Sequence, residues 1–277
     1  MTLQTALLQG TSILEKADIG VPRLTAEVLL SHAMRCDRTY LYAHASDELT
    51  ELGWIHYGRY LNERLKGRPT QYITHRQEFY GREFYVDERV LIPRPETEHL
   101  VETALAWLSR NRVASILDVG TGSGAVAVSI ALERGCEVFA SDVSIDALQV
   151  AERNRHALDA QVRFFACDLL NGVRQASVDL LVSNPPYVPG EDAANMQREV
   201  RDWEPHVALF AGGTGFEIYR RLIEQAKAVI RPGGRLLMEL GYRSLDGVRE
   251  MLTGSWTDIE VVSDLAGLPR VIGATRA

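Results

Sequence analysis

Asn184, Pro185, Pro186 and Tyr187 stand in a row directly after the apolar run Asp179-Leu180-Leu181-Val182-Ser183, and this set of residues suits methylation of a planar, conjugated NH2 group. The nitrogen of a carboxamide or of an exocyclic base amine has a delocalised lone pair. It attacks a methyl donor only when both N–H bonds are held and the lone pair is freed. The Asn184 side-chain oxygen and a neighbouring backbone carbonyl can do that. Pro185 and Pro186 fix φ and bring no N–H donor, so the chain leaves the preceding strand in a rigid turn whose carbonyls point in set directions. Tyr187 adds an aromatic wall that stacks on a flat amide and favours positive charge over its π face. A strand ending in an ordinary Pro-Pro turn carries the same four residues, so the tetrapeptide needs support from elsewhere in the chain.

That support begins upstream with Asp118-Val119-Gly120-Thr121-Gly122-Ser123-Gly124, which follows Ser115-Ile116-Leu117 and precedes the apolar stretch Ala125 to Leu132. The order reads strand, glycine turn, helix. Glycines at alternate positions let backbone pass close beneath a ligand, and the free N–H groups of a helix start favour a carboxylate or phosphate. The same spacing fits a dinucleotide fingerprint, so the glycines alone leave NAD and S-adenosylmethionine both open. About 20 positions further on, a short strand from Glu137 ends at Asp142, the spacing expected of a carboxylate that grips ribose hydroxyls. A third strand, Val162 to Phe165, runs to Asp168-Leu169, an acid for an adenine amino group and an apolar side chain to cover the ring. Taken singly, each acid is also an ordinary helix cap or turn residue.

The elements that must position these residues alternate strand and helix from Thr97 onward, through Arg235-Leu236-Leu237-Met238-Glu239, Ile259 to Val262 and Arg270 to Ile272. The expected fold is α/β, a doubly wound sheet. The glycine loop, Asp142, Asp168 and the tetrapeptide then follow four successive strands at one edge, outside their carboxyl ends, where such sheets bind ligands. This arrangement resembles the class I S-adenosylmethionine-dependent methyltransferases with a Rossmann-like sheet, and the tetrapeptide matches their amino-methylating subset. Together with Val90-Leu91-Ile92-Pro93-Arg94-Pro95-Glu96-Thr97-Glu98, Pro69 to Ile73, Phe79 to Phe84, Glu204-Pro205, Gly212-Gly213 and Glu239-Leu240-Gly241, it resembles the release factor glutamine methyltransferase family, known as HemK or PrmC. The resemblance covers nearly the whole chain and departs at His75, where that family usually has Gly, and near Arg243-Ser244, where it usually has a Gln.

The resemblance implies S-adenosyl-L-methionine as cofactor and, as acceptor, the glutamine of the Gly-Gly-Gln motif of class-1 peptide chain release factors. It implies catalytic roles for Asn184, Pro185, Pro186 and Tyr187. Cofactor contacts are implied for Gly120, Thr121, Gly122, Ser123, Gly124, Asp142, Asp168, Leu169 and Asn184, with Arg94 and Thr97 near the methionine end. Read on its own, Pro93 to Glu98 is the start of a helix, with Pro95 in the first turn and Glu96 and Glu98 near its positive end. Rival readings are methylation of a ribosomal-protein glutamine or of adenine in nucleic acid, and a cofactor-binding regulatory protein without turnover. A nicotinamide oxidoreductase fits worse, since no second nucleotide-binding half is visible.

Composition narrows these readings. The 277 residues are 46% hydrophobic, enough for a buried core, and 30 basic against 37 acidic residues give a net charge of −7, which disfavours a broad nucleic-acid footprint. Residues 1–76 are nearly balanced, with nine Lys/Arg and eight Asp/Glu. Arg59, Arg64, Lys66, Arg68 and Arg76 against Glu63 form a local basic cluster, expected as a solvated helix face or a surface for an acidic partner. Cys36, Cys136 and Cys167 have no metal spacing, cannot all pair and are expected as core thiols in a reducing cytoplasm. The seven histidines are scattered, so no metal is expected. Met1 to Gly10 lacks a secretory pattern and no run is long enough to span a membrane. Three segments are expected: a helical substrate-recognition domain over 1–76, a β-hairpin linker over 77–92 and the methyltransferase domain over 93–277. In the first, Leu3, Leu7, Leu14, Val28 to Leu30, Leu52, Ile55, Tyr60 and Leu65 read as packed helix faces.

Overall fold

A computed structural model describes residues 1–112 and 115–277. Two compact units emerge: one comprises Met1–Arg76 with Gln197–Trp203, the other Gln77–Met196 with Glu204–Ala277.

The smaller unit is helical. Helices α1 (Leu3–Lys16), α2 (Pro22–Met34), α3 (Arg38–Ala43), α4 (Glu51–Leu65) and α5 (Thr70–Thr74) follow one another. Thr2, Asp37 and Thr50 start α1, α3 and α4 by accepting the backbone N–H three residues on, the capping geometry that satisfies otherwise orphaned donors. Leu3, Leu7, Leu14, Leu29 and Leu30 are buried as their periodicity suggests. On α4 the expected face is wrong: Leu52 and Ile55 are 64% and 58% exposed and Leu65 also faces solvent. The buried stripe is Gly53, Tyr57, Leu61 and Arg64. Apolar side chains lie on both sides of this helix, and the inward one includes a glycine and an arginine that a hydrophobicity pattern does not select.

The basic cluster is corrected likewise. Arg64 is buried and pairs with Glu199 at 2.5 Å, and Arg68 pairs with Glu63 at 2.7 Å while lying over the Trp203 ring, so neither belongs to an open cationic face. The unit has a second buried charge node at Glu27, held by Arg23, Arg38 and Tyr42. Burial alone drives this carboxyl upward, but the three hydrogen bonds together bring it below the usual carboxylate range. His75, the C-cap of α5, has φ 57°, and Arg243 has φ 68°. Both departures from the family pattern thus fall at left-handed backbone positions, and at His75 that conformation is one a glycine adopts without strain.

Tyr57 is fully buried with its hydroxyl against Gly10, where a Cβ would stand 1.9 Å from Oη. Among the described residues that hydroxyl has no hydrogen-bond partner. Tyr57→Phe is therefore expected to stabilise the protein by about 1 kcal/mol, the desolvation cost of an unpaired hydroxyl. A lower urea midpoint in the variant would refute this.

The larger unit opens with a hairpin of β1 (Gln77–Phe79) and β2 (Arg82–Phe84) around Tyr80 and Gly81, both at positive φ, as a two-residue hairpin turn requires. Phe79 and Phe84 meet edge-on at 6.0 Å inside this unit's core. Strand pairing stops at Phe84 and residues 85–92 run on as loop. A 3₁₀ turn, Pro95–Thr97, leads into α6 (Glu98–Leu108), followed by β3 (Ile116–Val119), α7 (Ala125–Arg134), β4 (Val138–Asp142), α8 (Ile145–Leu158), β5 (Val162–Ala166) and β6 (Val178–Ser183). The helix α9 (Arg198–Trp203) belongs to the helical unit. Then come α10 (His206–Leu209), α11 (Glu217–Val229), β7 (Ile230–Glu239), α12 (Leu245–Met251), β8 (Trp256–Ser263) and β9 (Pro269–Arg276).

Among the described residues, seven strands form one sheet in the order β5-β4-β3-β6-β7-β9-β8. The first five are mutually parallel, and β9 and β8 close the far edge antiparallel. Leu117, Leu180, Leu181 and Val182 are at most 2% exposed, because a parallel sheet is covered by helices on both faces and its strands read as continuous apolar runs. The strand order reverses between β3 and β6. A crevice at that switch point lies outside the carboxyl ends of the strands, where doubly wound sheets bind ligands.

Candidate active site

Five strand ends converge on this crevice. β3 leads into the glycine turn, β4 ends at Asp142, β5 runs on toward Asp168, β6 hands over to Asn184 and β7 ends at Glu239. A cavity of about 340 Å³ opens there, lined on the sheet side by Gly120, Gly122, Asp142, Asp168, Leu169, Asn184 and Pro186. Seven expected site residues are thus brought to one wall.

The glycine turn is held from below. The N–H groups of Gly120 and Thr121 both donate to the Ser141 carbonyl, and the Thr121 hydroxyl donates to Asp118 at 2.7 Å. Asp118 is fully buried, which pushes its carboxyl up to about 7 against the pull of that hydrogen bond. The backbone N–H of Ala127, at the start of α7, also faces Asp118 and draws its carboxyl down. Gly120 and Gly122 have φ of 74° and 55°, and a Cβ on either would meet nothing within 4 Å. The positive φ, more than lack of room, calls for glycine here. Thr121 and Ser123 are buried, and the Ser123 carbonyl accepts from Asn154, which also binds Tyr85. Gly124 starts α7 in a left-handed conformation. Thr121, Ser123 and Gly124 thus shape the loop from behind the cavity wall.

Asp142 accepts from Gly122 N at 2.8 Å and Ser144 N at 2.9 Å. Burial raises its carboxyl despite these bonds. Asp168 is half exposed and pairs with Arg221 at 2.6 Å. Beside it Cys167 also lines the cavity, donating its thiol to Asn171. The cysteines are free but are not core thiols: all three are only partly buried, since each lies at an element end or boundary.

The tetrapeptide turns away from β6 with Pro185 buried and Asn184, Pro186 and Tyr187 partly so. Asn184 donates from Nδ2 to the Thr97 hydroxyl at 3.2 Å. Tyr187 lies against Gly241, where a Cβ would come within 2.5 Å of the ring. Burial pushes the Tyr187 phenol up to about 12. Arg94 points to Glu204, which is buried and also takes the Ile92 N–H at 3.3 Å. Arg94 and Thr97 therefore act on neighbours of the cavity, Arg94 by tying the 92–94 segment to the turn before Pro205, and Thr97 through Asn184.

Sequence reasoning assigned no role to Glu204 or Glu239, although both stand in the motifs that carry the resemblance. It did not select Val90, Leu91, Pro205, Val207 and Ala208, which form the apolar side of the cavity. The available signal was the isolated acid closing the apolar run Leu236-Leu237-Met238. Among the described residues no group of three His, Cys, Asp or Glu is arranged for a metal ion, and no helix is long and apolar enough to cross a membrane.

The chain matches the PrmC N-terminal domain family over residues 5–74 and the methyltransferase small domain family over residues 97–201. A release factor glutamine methyltransferase of Koribacter versatilis is 46% identical over 98% of both chains, and one of Chlorobaculum tepidum is 44% identical over 91% of this chain and 90% of its own. Among solved structures, a 16S rRNA methyltransferase of T. thermophilus in complex with AdoMet and guanosine superposes with TM-score 0.53 at 17% identity, covering 73% of this chain and 50% of its own, which supports the fold. With identity of this extent along both lengths, the chain belongs to the release factor glutamine methyltransferase family.

Proposed function

We propose that the protein transfers a methyl group from S-adenosyl-L-methionine to the side-chain amide nitrogen of the glutamine in the Gly-Gly-Gln motif of class-1 peptide chain release factors. The observation that carries the reading is the Asn184 amide: its nitrogen is turned to Thr97, which leaves its oxygen as an acceptor in the wall of a cavity that already carries the glycine loop and Asp142.

The cavity fits the cofactor. Glycine positions where a side chain would project into open space leave room for a ligand against backbone, Asp142 suits ribose hydroxyls, and Asp168 with Leu169 suits an adenine edge and face. Bound there, S-adenosylmethionine supplies a sulfonium-activated methyl group. The chain's residues then act on the acceptor. Asn184 Oδ1 and the Pro185 carbonyl each take one N–H of the glutamine carboxamide, which fixes its plane and frees the nitrogen lone pair. The two prolines present no competing N–H. Tyr187 closes the amide's flat face, and its partly buried ring shields that face from water. Positioning and desolvation suffice with so good a leaving group. The surplus proton on the acceptor nitrogen leaves to solvent after transfer, while Asn184 Oδ1 still holds the other.

The helical unit is assigned to recognition of the release factor, supported by the exposed apolar side chains Leu52, Trp54 and Ile55 along α4. The reaction places the enzyme in the cytoplasm with its substrate, and it calls for neither a metal nor a nucleic-acid surface.

Methyl transfer from labelled S-adenosylmethionine to a purified release factor tests this reading. Label is expected on the intact factor and absent when the Gly-Gly-Gln glutamine is changed to Ala. Label on a ribosomal protein or on DNA instead would overturn the substrate assignment.

A further inference from the structure

Glu239 is a buried acid beside the tetrapeptide that this mechanism does not use. It closes β7 beside β6: Ser183 pairs with Met238, so the parallel register sets Glu239 next to Asn184. It is 3% exposed, and among the described residues its Oε2 has no hydrogen-bond partner. Thr97 and Asn184 stand close enough to its carboxyl that each draws it down. The Thr97 hydroxyl accepts from Asn184 Nδ2, so its own proton is left to give, and a carboxylate is an acceptor for it.

We infer that Glu239 is a positioning residue for the tetrapeptide, its carboxylate accepting from Thr97 and Asn184 and so keeping the Asn184 amide turned with Nδ2 inward and Oδ1 toward the acceptor. The inference rests on the reading of Asn184 as the residue that holds the substrate amide. An amide is nearly symmetric in shape, so only its hydrogen-bond partners fix which end faces the cavity. A carboxylate repels the amide oxygen and binds the amide nitrogen. A protonated carboxyl carries a donor that can satisfy Oδ1 and admit the turned amide.

The surroundings make this a titrating arrangement. Burial pushes the Glu239 carboxyl up to about 7, with Thr97 and Asn184 drawing it down, Glu96 raising it and Arg270 lowering it. Arg270 and Glu96 are themselves 3.7 Å apart. From the other elements Tyr187 faces it across the turn, and Tyr219 donates to its backbone carbonyl at 2.7 Å. The ionised, Asn184-fixing form is therefore gained as pH rises.

Two measurements on the full chain test the inference. In the first, turnover of the release factor at saturating cofactor is followed from about pH 5.5 to about 8.5; it is expected to rise through an apparent pKa near 7. In Glu239→Gln that limb is expected to vanish and kcat at the upper pH to fall by about 10–10²-fold, with KM and cofactor Kd nearly unchanged. In the second, the Asn184 side-chain amide resonance of ¹⁵N-labelled protein, identified by its loss in Asn184→Ala, is followed without substrate. It is expected to titrate in the wild type and stay flat in Glu239→Gln. Should Glu239→Gln fail to fold, Thr97→Val is expected to lower kcat alone and Thr97→Ser to restore it. An Asn184 amide that ignores pH in the folded wild type, or wild-type kcat in Glu239→Gln, overturns the inference. A titrating amide in an enzyme that labels no release factor supports the inference and sinks the substrate reading instead.

Discussion

Asn184→Ala is expected to lower kcat by about 10²–10³, or about 2.7–4 kcal/mol of transition-state stabilisation, the usual cost of deleting one preorganised polar partner. Cofactor affinity should barely move. The side chain's contribution is made when the acceptor nitrogen's lone pair is released, so the loss belongs to the chemical step and not to the ground state. Its Nδ2 contact with Thr97 is partly buried, and losing it does not disturb the glycine loop, which hangs on Ser141, Asp118 and Asp142. Single-turnover rates with calorimetric Kd values check both halves. An equal loss in Kd and in rate would show that Asn184 holds the cofactor more than the acceptor.

Asp142→Ala should give the opposite division, with the Kd for S-adenosylmethionine rising by about 10–10², as one lost charge-assisted hydrogen bond of about 1.5–3 kcal/mol implies. The turnover of the saturated enzyme should change only a few-fold. Asp142 also binds Gly122 N and Ser144 N, so removing it frees the loop that lies beneath the ligand. Asp142→Asn separates the two contributions. It keeps one acceptor oxygen but loses the charge, so a Kd between wild type and Asp142→Ala is the expected result of titration calorimetry. An unchanged Kd in Asp142→Ala would remove this residue from the cofactor site.

Much of the site was legible because the α/β fold writes its ligand-binding edge into chain order. Each of Gly120 to Gly124, Asp142, Asp168 and Asn184 follows a short apolar strand, and parallel pairing carries the strand ends to one edge. What stayed hidden depends on neighbours distant in sequence. Glu239 meets Asn184 only because β7 returns beside β6 after a crossing of about fifty residues, and the acid that closes its apolar run does not by itself name that partner. Glu204 is similarly silent until the chain brings Arg94 to it. On α4 the inward stripe of Gly53, Tyr57, Leu61 and Arg64 works because Met34 and Leu49 crowd Gly53 and Glu199 neutralises Arg64, none of which periodicity contains. Periodicity locates a helix, but where both its sides carry apolar residues the packing partner decides which is buried.

The membership of α9 in the helical unit bears on the order in which the protein is made. Arg198 donates to the Lys66 carbonyl, Glu199 pairs with Arg64, and Trp203 lies under Arg68, yet these partners leave the ribosome roughly 120 residues after Arg76. At about 5–20 residues per second, that is a wait of about 6–24 s. Through that interval the nascent helices hold a guanidinium whose counter-charge has not been translated, and the helical unit is completed only once the chain has been made as far as Trp203.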